Sequence, residues 1–355
     1  MIRTVEWHEG RVRLIDQRRL PWTLAHLECS DYREVAQAIS EGAVRGAQAV
    51  GAAGVFGMAL AARQATPLDI GSLIEFLDVA AVILQKADST SLHLTLWLAR
   101  MMRRARDETL SNVREIKFAL LAEAQQIAAE DSAACQKIGK HGAALIRNGD
   151  VVLHHGGGGA LSATSYGTSL GIVQAAHALG RRFHVLLTEG RPLLEGAHFA
   201  AWELREAGIP FEIVPDAAVG YYLRRGEVKL VLVAAPRLAA NGDFIARVGA
   251  YPLAVLARDN RVPFYAAATL ASVDMNAANG AQLPQEERDP REVHTPFGNS
   301  AFPEGYPARN PAYDVVPQRY LGGIVAERGV IYPSFKDRLA ELLSQEASDD
   351  NKPTD

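Results

Sequence analysis

The spacing of apolar residues divides the chain near residue 145. Over residues 1–25, apolar and polar positions alternate and β-forming residues are frequent, which predicts a small antiparallel hairpin turning at Glu9-Gly10. From Tyr32 to about Lys140, apolar residues recur every three or four positions, which is the period of an amphipathic helix. The sequence therefore predicts a hairpin and a helical domain over residues 1–145.

After residue 150, short apolar runs replace the helical period. The predicted strands are Val151–His155, His184–Thr188, Phe211–Val214, 228–234 and 263–268, and helical stretches follow at 160–179, 193–207 and 244–259. Alternating strands and helices are typical of a parallel sheet that helices cover on both faces. Residues 146–343 are therefore predicted to form an α/β domain. The polar segment 344–355 is predicted to be a disordered tail.

Composition and charge narrow the classes of function. The 355 residues include 37 Lys plus Arg and 41 Asp plus Glu, a formal net charge of −4. This balance argues against nucleic-acid binding, which normally uses a basic face. Cys29 and Cys135 are too few for a disulfide scaffold or a cysteine-based zinc site, and no metal or cofactor is predicted. The charged start and the lack of a long apolar run predict a cytoplasmic protein without a membrane span.

Ligands of parallel sheets bind beyond the carboxyl ends of the strands, and the loop after the first predicted strand has suitable residues. His154 and His155 can transfer protons near neutral pH. Gly156, Gly157 and Gly158 lead towards a helix start, where unpaired N–H groups are typical of an anion-binding turn. Their spacing is not the dinucleotide-binding fingerprint. The alternative is a flexible loop with one buried, hydrogen-bonded histidine.

Three further loops are candidates for binding a small molecule. Arg45-Gly46-Ala47 places a guanidinium beside a glycine where the backbone can approach a ligand. The alternative there is a tightly packed helix with one exposed arginine. After the second predicted strand, Arg191 and Glu195 either face the site or pair on the surface. After the fourth, Asn241 and Asp243 either bind a ligand or form a turn and helix cap.

Together these loops resemble those of the 5-methylthioribose-1-phosphate isomerases and, more distantly, the regulatory subunits of the eukaryotic initiation-factor exchange complex. The likeness runs from about Val5 to Pro333. The matching segments are Arg45-Gly46-Ala47, 159–171, 189–196, 201–210, 239–243, 286–290 and 310–317. The last two favour the isomerase branch. The resemblance implies a helical N-terminal domain, a Rossmann-like C-terminal domain, a cleft between them and a homodimer.

The resemblance also implies a catalytic pair that this chain lacks. The isomerases carry His-Cys-Asn after the first strand, where this sequence has His155, Gly156 and Gly157. They carry Gly-Ala-Asp-Arg after a later strand, where Pro236 stands at the aspartate position. Glycine and proline offer no titratable atom, so the acid/base pair of the family is absent. Turnover of methylthioribose 1-phosphate is therefore not predicted.

The positions that the resemblance assigns to the substrate's phosphate are altered too. Arg45-Gly46-Ala47 is kept, but the family's glutamine is Glu195, whose charge would repel a phosphate. The family's Asn-Lys pair is Ala246-Arg247, which keeps one cation. Changes concentrated in one pocket of an otherwise matched scaffold indicate a changed function.

Three functions remain open. The first is an enzyme in which His154, His155 and Glu195 transfer protons on a ribose-like or nucleoside-derived small molecule, in an isomerisation or related reaction. The second is a non-catalytic metabolite-binding or regulatory protein. The third is retained isomerisation of 5-methylthioribose 1-phosphate by substitute groups. The expected partners are a sugar-like ligand and a second copy of the chain, with neither nucleic acid nor membrane.

Overall fold

The computed structural model describes residues 2–66, 69–296, 300, 302–303 and 305–350. The chain forms two compact units. The first comprises Met1–Ala133 and Gly159–Gly167, and the second comprises Ala134–Gly158 and Thr168–Asp355. The segment 159–167 therefore belongs to the first unit, although the residues on both sides of it in sequence belong to the second unit.

The first unit begins with a three-stranded antiparallel sheet. Its strands are β1 (Val5–His8), β2 (Arg11–Ile15) and β3 (His26–Cys29), in the order β1-β2-β3. Glu9 and Gly10 join β1 to β2 with positive φ angles of 48° and 80°, as a two-residue hairpin turn requires. The predicted hairpin is confirmed, and β3 is a third strand that the alternation in residues 1–25 did not reveal.

Five helices follow, and one of them forms the centre of the unit. They are α1 (Tyr32–Ser40), α2 (Ala47–Gln64), α3 (Ile70–Ala87), α4 (Leu92–Ala105) and α5 (Val113–Ala143), the last of which continues into the second unit. In α2, 15 of 18 residues are buried, so the helix has no polar face. A Cβ at Gly54 would lie 2.2 Å from Leu94 Cδ1, so the glycines of α2 allow α4 to pack closely.

The second unit is built on a seven-stranded sheet. In chain order its elements are β4 (Val151–His155), α6 (Ser169–Ala178), β5 (His184–Thr188), α7 (Ala201–Glu206), β6 (Phe211–Val214), α8 (Val219–Arg224), β7 (Leu230–Ala234), β8 (Arg237–Ala239), β9 (Phe244–Arg247), α9 (Ala250–Asp259), β10 (Phe264–Ala267), β11 (Val273–Asp274), α10 (Arg291–His294), β12 (Tyr313–Val316), β13 (Gly323–Ala326), β14 (Gly329–Ile331) and α11 (Phe335–Asp350). The sheet order is β14-β13-β10-β7-β4-β5-β6, and every pair is parallel except β13–β14. The predicted α/β class with a parallel sheet is confirmed.

All three predicted helices of this unit begin later than expected. The stretch 193–207 forms a π-helical turn at Gly196–Ala200 before α7, and glycines delay the other two helices. Residues 244–247 form β9, which pairs with β8 and β12 in a second sheet of order β11-β8-β9-β12. Gly249, with φ 105°, ends this extended segment, and α9 begins only after it. Between residues 160 and 168 the chain makes a short 3-10 turn and then Gly167 adopts φ 89°, so α6 begins at Ser169. Glycines with positive φ therefore set both helix starts.

The last helix, α11, extends into the polar segment that was expected to be disordered from residue 344. Ser344 Oγ donates to the carbonyl of Glu341, and Gln345 hydrogen bonds to the Glu341 side chain, one turn earlier in each case. Upstream, Phe335 and Leu339 anchor the helix in the core beside the main sheet. The helix therefore runs to Asp350, and residues 351–355 lie outside the described part of the chain.

Candidate functional site

The strand order of the main sheet reverses at β4. From β4 the chain proceeds to β5 and β6 on one side, and then returns to place β7 and β10 on the other. Beyond the carboxyl ends of strands at such a reversal, α/β proteins bind their ligands. In this protein a pocket that is open to solvent lies there, and its lining includes Gly156, Arg191, Glu195, Arg247, Arg288 and Glu292.

A bidentate ion pair forms part of the pocket lining. Arg247 donates from Nε to Glu195 Oε2 at 2.7 Å and from Nη2 to Glu195 Oε1 at 2.6 Å. The side chains are only 24% and 8% exposed, and the guanidinium lies 4.9 Å from the centre of the Tyr313 ring. Burial alone would lower the pKa of Arg247, but the Glu195 carboxylate opposes this and the pKa lies above its ordinary value. Arg247 is therefore held in its charged form.

The turn after β5 fixes the position of Glu195. Asp216 accepts hydrogen bonds from the backbone N–H groups of Gly190 and Arg191, which anchors the start of the turn. Leu194 has a φ of 56°, a left-handed conformation that a leucine adopts at some cost in strain. Gly196 then packs so closely that a Cβ would lie 1.8 Å from the carbonyl oxygen of Thr188. The carboxylate is thus presented by a backbone with little freedom to move.

His155, a predicted catalytic residue, is buried and fully hydrogen-bonded. Its Nε2 lies 3.2 Å and 3.1 Å from the carbonyl oxygens of Arg247 and Val248, and its Nδ1 lies 2.7 Å from Thr188 Oγ1. Because carbonyls only accept, Nε2 carries the proton and Nδ1 accepts from the threonine hydroxyl. His155 therefore connects the end of β4 to the backbone of Arg247, and the glycine after it, Gly156, lines the pocket.

His154, the neighbouring predicted catalytic residue, lies on the opposite face of β4. Its side chain is completely buried, and its Nε2 lies 2.9 Å from Ser169 Oγ, while its Nδ1 has no hydrogen-bond partner among the described residues. Burial, with a smaller effect of the adjacent His155, lowers the pKa of His154 to about 3. The ring is therefore neutral near pH 7. The structure does not pair it with Glu195, whose hydrogen-bond partner is Arg247.

The depressed pKa of His154 predicts how stability depends on pH. An unfolded His154 takes up a proton near pH 6.5, whereas the folded one stays neutral until about pH 3. Its contribution to the free energy of unfolding is therefore complete above pH 6.5 and is lost as the pH falls towards 3. In His154→Gln, urea unfolding at about pH 7 and pH 5 should show a pH dependence that is shallower by up to about 1.4 kcal/mol per pH unit. Ser169→Ala, which keeps the buried ring, should retain the steeper dependence, and equal slopes in wild type and His154→Gln would contradict this account.

The remaining predicted residues of the second unit hold its loops together. Asp243 accepts hydrogen bonds from Asn241, from Gly280 N at 3.0 Å and from Gln318 N at 2.8 Å. The carbonyl of Gly158 accepts from the N–H groups of Thr168 and Leu170. Two N–H groups at the start of α6 are therefore satisfied by the glycine loop itself. Asn241 and Asp243 lie in a hydrogen-bonded turn, and a ligand role for them stays a prediction.

In the first unit, Arg45-Gly46-Ala47 forms the entry to α2. Gly46 has a φ of 97°, and a Cβ there would lie 2.4 Å from the backbone of Ser162, so only glycine fits. The carbonyl of Arg45 accepts from the Gln17 side chain at 3.4 Å. This close approach is to Ser162 of the chain itself, so a ligand role for Arg45-Gly46-Ala47 stays a prediction.

Three residues with charged or amide side chains in the pocket lining, Arg288, Glu292 and Asn310, were not predicted from the sequence. Arg288 Nη2 donates to Glu292 Oε1 at 2.6 Å, and Asn310 Nδ2 donates to Glu292 Oε2 at 2.9 Å. They come together because residues 286–288 pair with residues 310–312. Both segments, 286–290 and 310–317, are among those that carry the family resemblance. Their spacing in the sequence does not indicate that they lie together.

The described residues offer neither a cluster of metal ligands nor a membrane-spanning helix. Within the described ranges, no group of three or more His, Cys, Asp or Glu side chains is arranged to hold a metal ion. In the same part of the chain, no helix has the length and apolar character needed to cross a membrane.

The fold defines an α/β protein with a pocket at the strand-order reversal of its main sheet. Comparison with known sequences then shows that the chain belongs to the initiation factor 2 subunit family, which it matches over residues 43–333. It is 42% identical over 341 residues to the methylthioribose-1-phosphate isomerase of Geobacter metallireducens, covering 96% of this chain and 99% of that protein. With the same enzyme of Chloroflexus aurantiacus it shares 43% identity over 343 residues, with 97% and 99% covered.

Two solved structures are also similar to this chain over nearly its whole length. The 5-methylthioribose 1-phosphate isomerase of Pyrococcus horikoshii OT3 is 37% identical, with a TM-score of 0.90, covering 97% of this chain and 96% of that one. The translation initiation factor eIF-2B subunit delta of A. fulgidus is 34% identical, with a TM-score of 0.85, covering 97% and 100%. The family resemblance inferred from the loops is confirmed, and the similar curated proteins are sugar-phosphate isomerases.

Proposed function

We propose that the chain is a divergent isomerase-like protein that binds a ribose-like or nucleoside-derived small molecule and rearranges it by proton transfer. The observation that carries this proposal is the Glu195–Arg247 ion pair in the lining of the pocket at the end of β4. It places a proton acceptor and a fixed positive charge together where α/β proteins bind ligands. The kinship to isomerases supports the reaction class.

The pair can serve both halves of an aldose–ketose isomerisation. Each Glu195 oxygen accepts one hydrogen bond from Arg247, which leaves lone pairs that can take a proton from the carbon beside a carbonyl. The same carboxyl group then returns that proton to the neighbouring carbon, and the hydroxyl proton of the substrate passes from its own oxygen to the former carbonyl oxygen. Meanwhile the Arg247 guanidinium stabilises the negative charge that develops on the substrate oxygen. Both roles are possible because the Glu195 and Arg247 side chains lie next to each other in the pocket lining.

We infer from the family resemblance that the chain differs from its isomerase relatives at the positions assigned to catalysis. Gly156 stands at the cysteine position and Pro236 at the aspartate position. Neither offers a titratable atom, so retained isomerisation of methylthioribose 1-phosphate would need substitute groups. We therefore infer that Glu195 carries a relocated reaction. His155 supports the site by holding the backbone of Arg247, and His154 supports the fold by its bond to Ser169.

A non-catalytic metabolite-binding protein is the second candidate. It is favoured by the pairing of charged groups in the pocket, where Glu195 bonds Arg247 and Glu292 bonds Arg288. It is also favoured by the hydrogen bonds that occupy both ring nitrogens of His155. In either case we propose, from the family resemblance and the composition, a cytoplasmic homodimer whose partner is a small sugar-like molecule.

The proposal is tested by incubating the protein with a panel of ribose derivatives, with and without phosphate and with and without a 5′-thioether. Products are followed by proton NMR. We expect an isomerised product from at least one member of the panel. Binding without any product across the panel would replace the enzyme by the metabolite-binding candidate. Product from methylthioribose 1-phosphate alone would instead support the retained reaction of the relatives.

A further inference from the structure

Carboxylates in and beside the pocket lining match most of its positive charge. Arg247 is matched by Glu195, and Arg288 is matched by Glu292 at 2.6 Å and by Glu286, which lies outside the lining, at 3.4 Å. Arg191 donates from its guanidinium to the carbonyls of Pro192 and Val293, at 3.4 and 3.0 Å. The lining thus carries three arginines and two glutamates, and Glu286 brings the formal charges of this group into balance. The lining together with Glu286 offers many hydrogen-bonding groups but no net positive charge.

Arg247 in particular is already engaged by a carboxylate. Glu195 occupies both its Nε and its Nη2, which is the forked edge that would otherwise bind a phosphate or carboxylate of a ligand. The glutamate cannot easily withdraw, because Gly196 packs against Thr188 and the preceding turn is anchored by Asp216. An anionic group of a ligand would therefore have to displace a carboxylate that the backbone holds in place.

We propose that Glu195 is a specificity-determining residue that makes this pocket a site for an uncharged polyhydroxyl sugar and selects against its phosphorylated form. The inference rests on the proposed function and adds the chemical class of the ligand. A pair of neighbouring hydroxyls can donate to a Glu195 oxygen and accept from a guanidinium N–H without disturbing the ion pair. A phosphate, by contrast, brings a charge of about −1.5 to −2 next to the carboxylate.

The experiment measures the affinities of two matched sugars by isothermal titration calorimetry. The probes are methylthioribose and methylthioribose 1-phosphate, which differ only in the phosphate. Wild type is compared with Glu195→Gln and with Asp274→Asn. The last variant breaks another bidentate pair, Arg237–Asp274, whose side chains have nearly the same exposure (22% and 8%) and lie outside the lining of the pocket. Circular dichroism establishes that each variant is folded.

Wild type should bind the uncharged sugar at least roughly tenfold more tightly than the phosphorylated one, since like charges in one site are strongly unfavourable. In Glu195→Gln this preference should shrink by roughly tenfold or reverse, because the guanidinium becomes available to the phosphate. Asp274→Asn should keep the wild-type preference. Equal or tighter wild-type binding of the phosphorylated sugar, or binding of neither sugar, overturns the inference, and the wild-type comparison does not depend on the folding of any variant.

The result separates this inference from the proposed reaction. If wild type binds the uncharged sugar but forms no product, the proposed reaction fails and the specificity remains. If it forms product from the phosphorylated sugar, the specificity fails and proton transfer remains.

Discussion

Gly196→Ala is expected to lower the free energy of unfolding by about 3 kcal/mol, the upper end of what overpacking usually costs. The added methyl group would lie 1.8 Å from the carbonyl oxygen of Thr188 and 3.0 Å from its carbonyl carbon. These are backbone atoms of β5, inside the main sheet, so they cannot move aside as the end of a flexible side chain would. The turn after β5 must shift instead, and Glu195 shifts with it.

Gly220→Ala is the matched control for this substitution. Gly220 lies in α8, where a Cβ would meet only Leu256 Cδ1, at the ordinary distance of 3.6 Å. Alanine is the better helix former, so a gain of about 0.5–1 kcal/mol is expected there. Urea unfolding of wild type and both variants measures the difference. If Gly196→Ala were as stable as Gly220→Ala, the close contact between the turn and β5 would not exist as described.

Glu195→Gln is expected to lower kcat by a factor of about a hundred or more, because a positioned general acid–base group contributes roughly 10²–10⁴-fold. The amide keeps the size of the side chain and still accepts one hydrogen bond from Arg247, but it cannot take up the substrate proton. Steady-state kinetics on the substrate found in the ribose panel measures the effect. Affinity for the uncharged sugar, measured separately, shows that the site is still formed.

Asp274→Asn again supplies the comparison, because it disturbs a buried bidentate pair of similar exposure away from the pocket lining. Its kcat should stay within a few-fold of wild type even if its stability falls. A similar loss of kcat in both variants would mean that Glu195 acts only through stability. An unchanged kcat in Glu195→Gln would remove this residue from the chemistry and return the question to the metabolite-binding candidate.

The sequence predicted the main sheet well because buried parallel strands leave a local signature. The runs Val151–His155, His184–Thr188 and Phe211–Val214 are short and mostly apolar, and the structure has strands at those residues. The strand at Phe244–Arg247 was predicted as a helix because its pattern is equally short and its partners, β8 and β12, lie elsewhere in the chain. Pairing between distant segments is not visible in a local pattern.

The site was predictable in position but not in its contacts. The sequence named Gly156, Arg191 and Glu195 from the loops at the strand ends and Arg247 from the family resemblance, and all four line the pocket. That Glu195 pairs with Arg247, 52 residues away, follows only from the three-dimensional fold. The contacts of His154 and His155 could not be predicted either. The two are adjacent in the sequence, but adjacent residues of a strand point to opposite faces of the sheet, so they have different partners.

The most direct test of relocated proton transfer is to run the reaction of the responsive sugar in deuterium oxide and to follow it by NMR. The account predicts that wild type places deuterium on the carbon that receives the migrating proton, in the product and in recovered substrate, and that Glu195→Gln loses this exchange. Sugar that binds in the pocket but is recovered without deuterium would contradict the account.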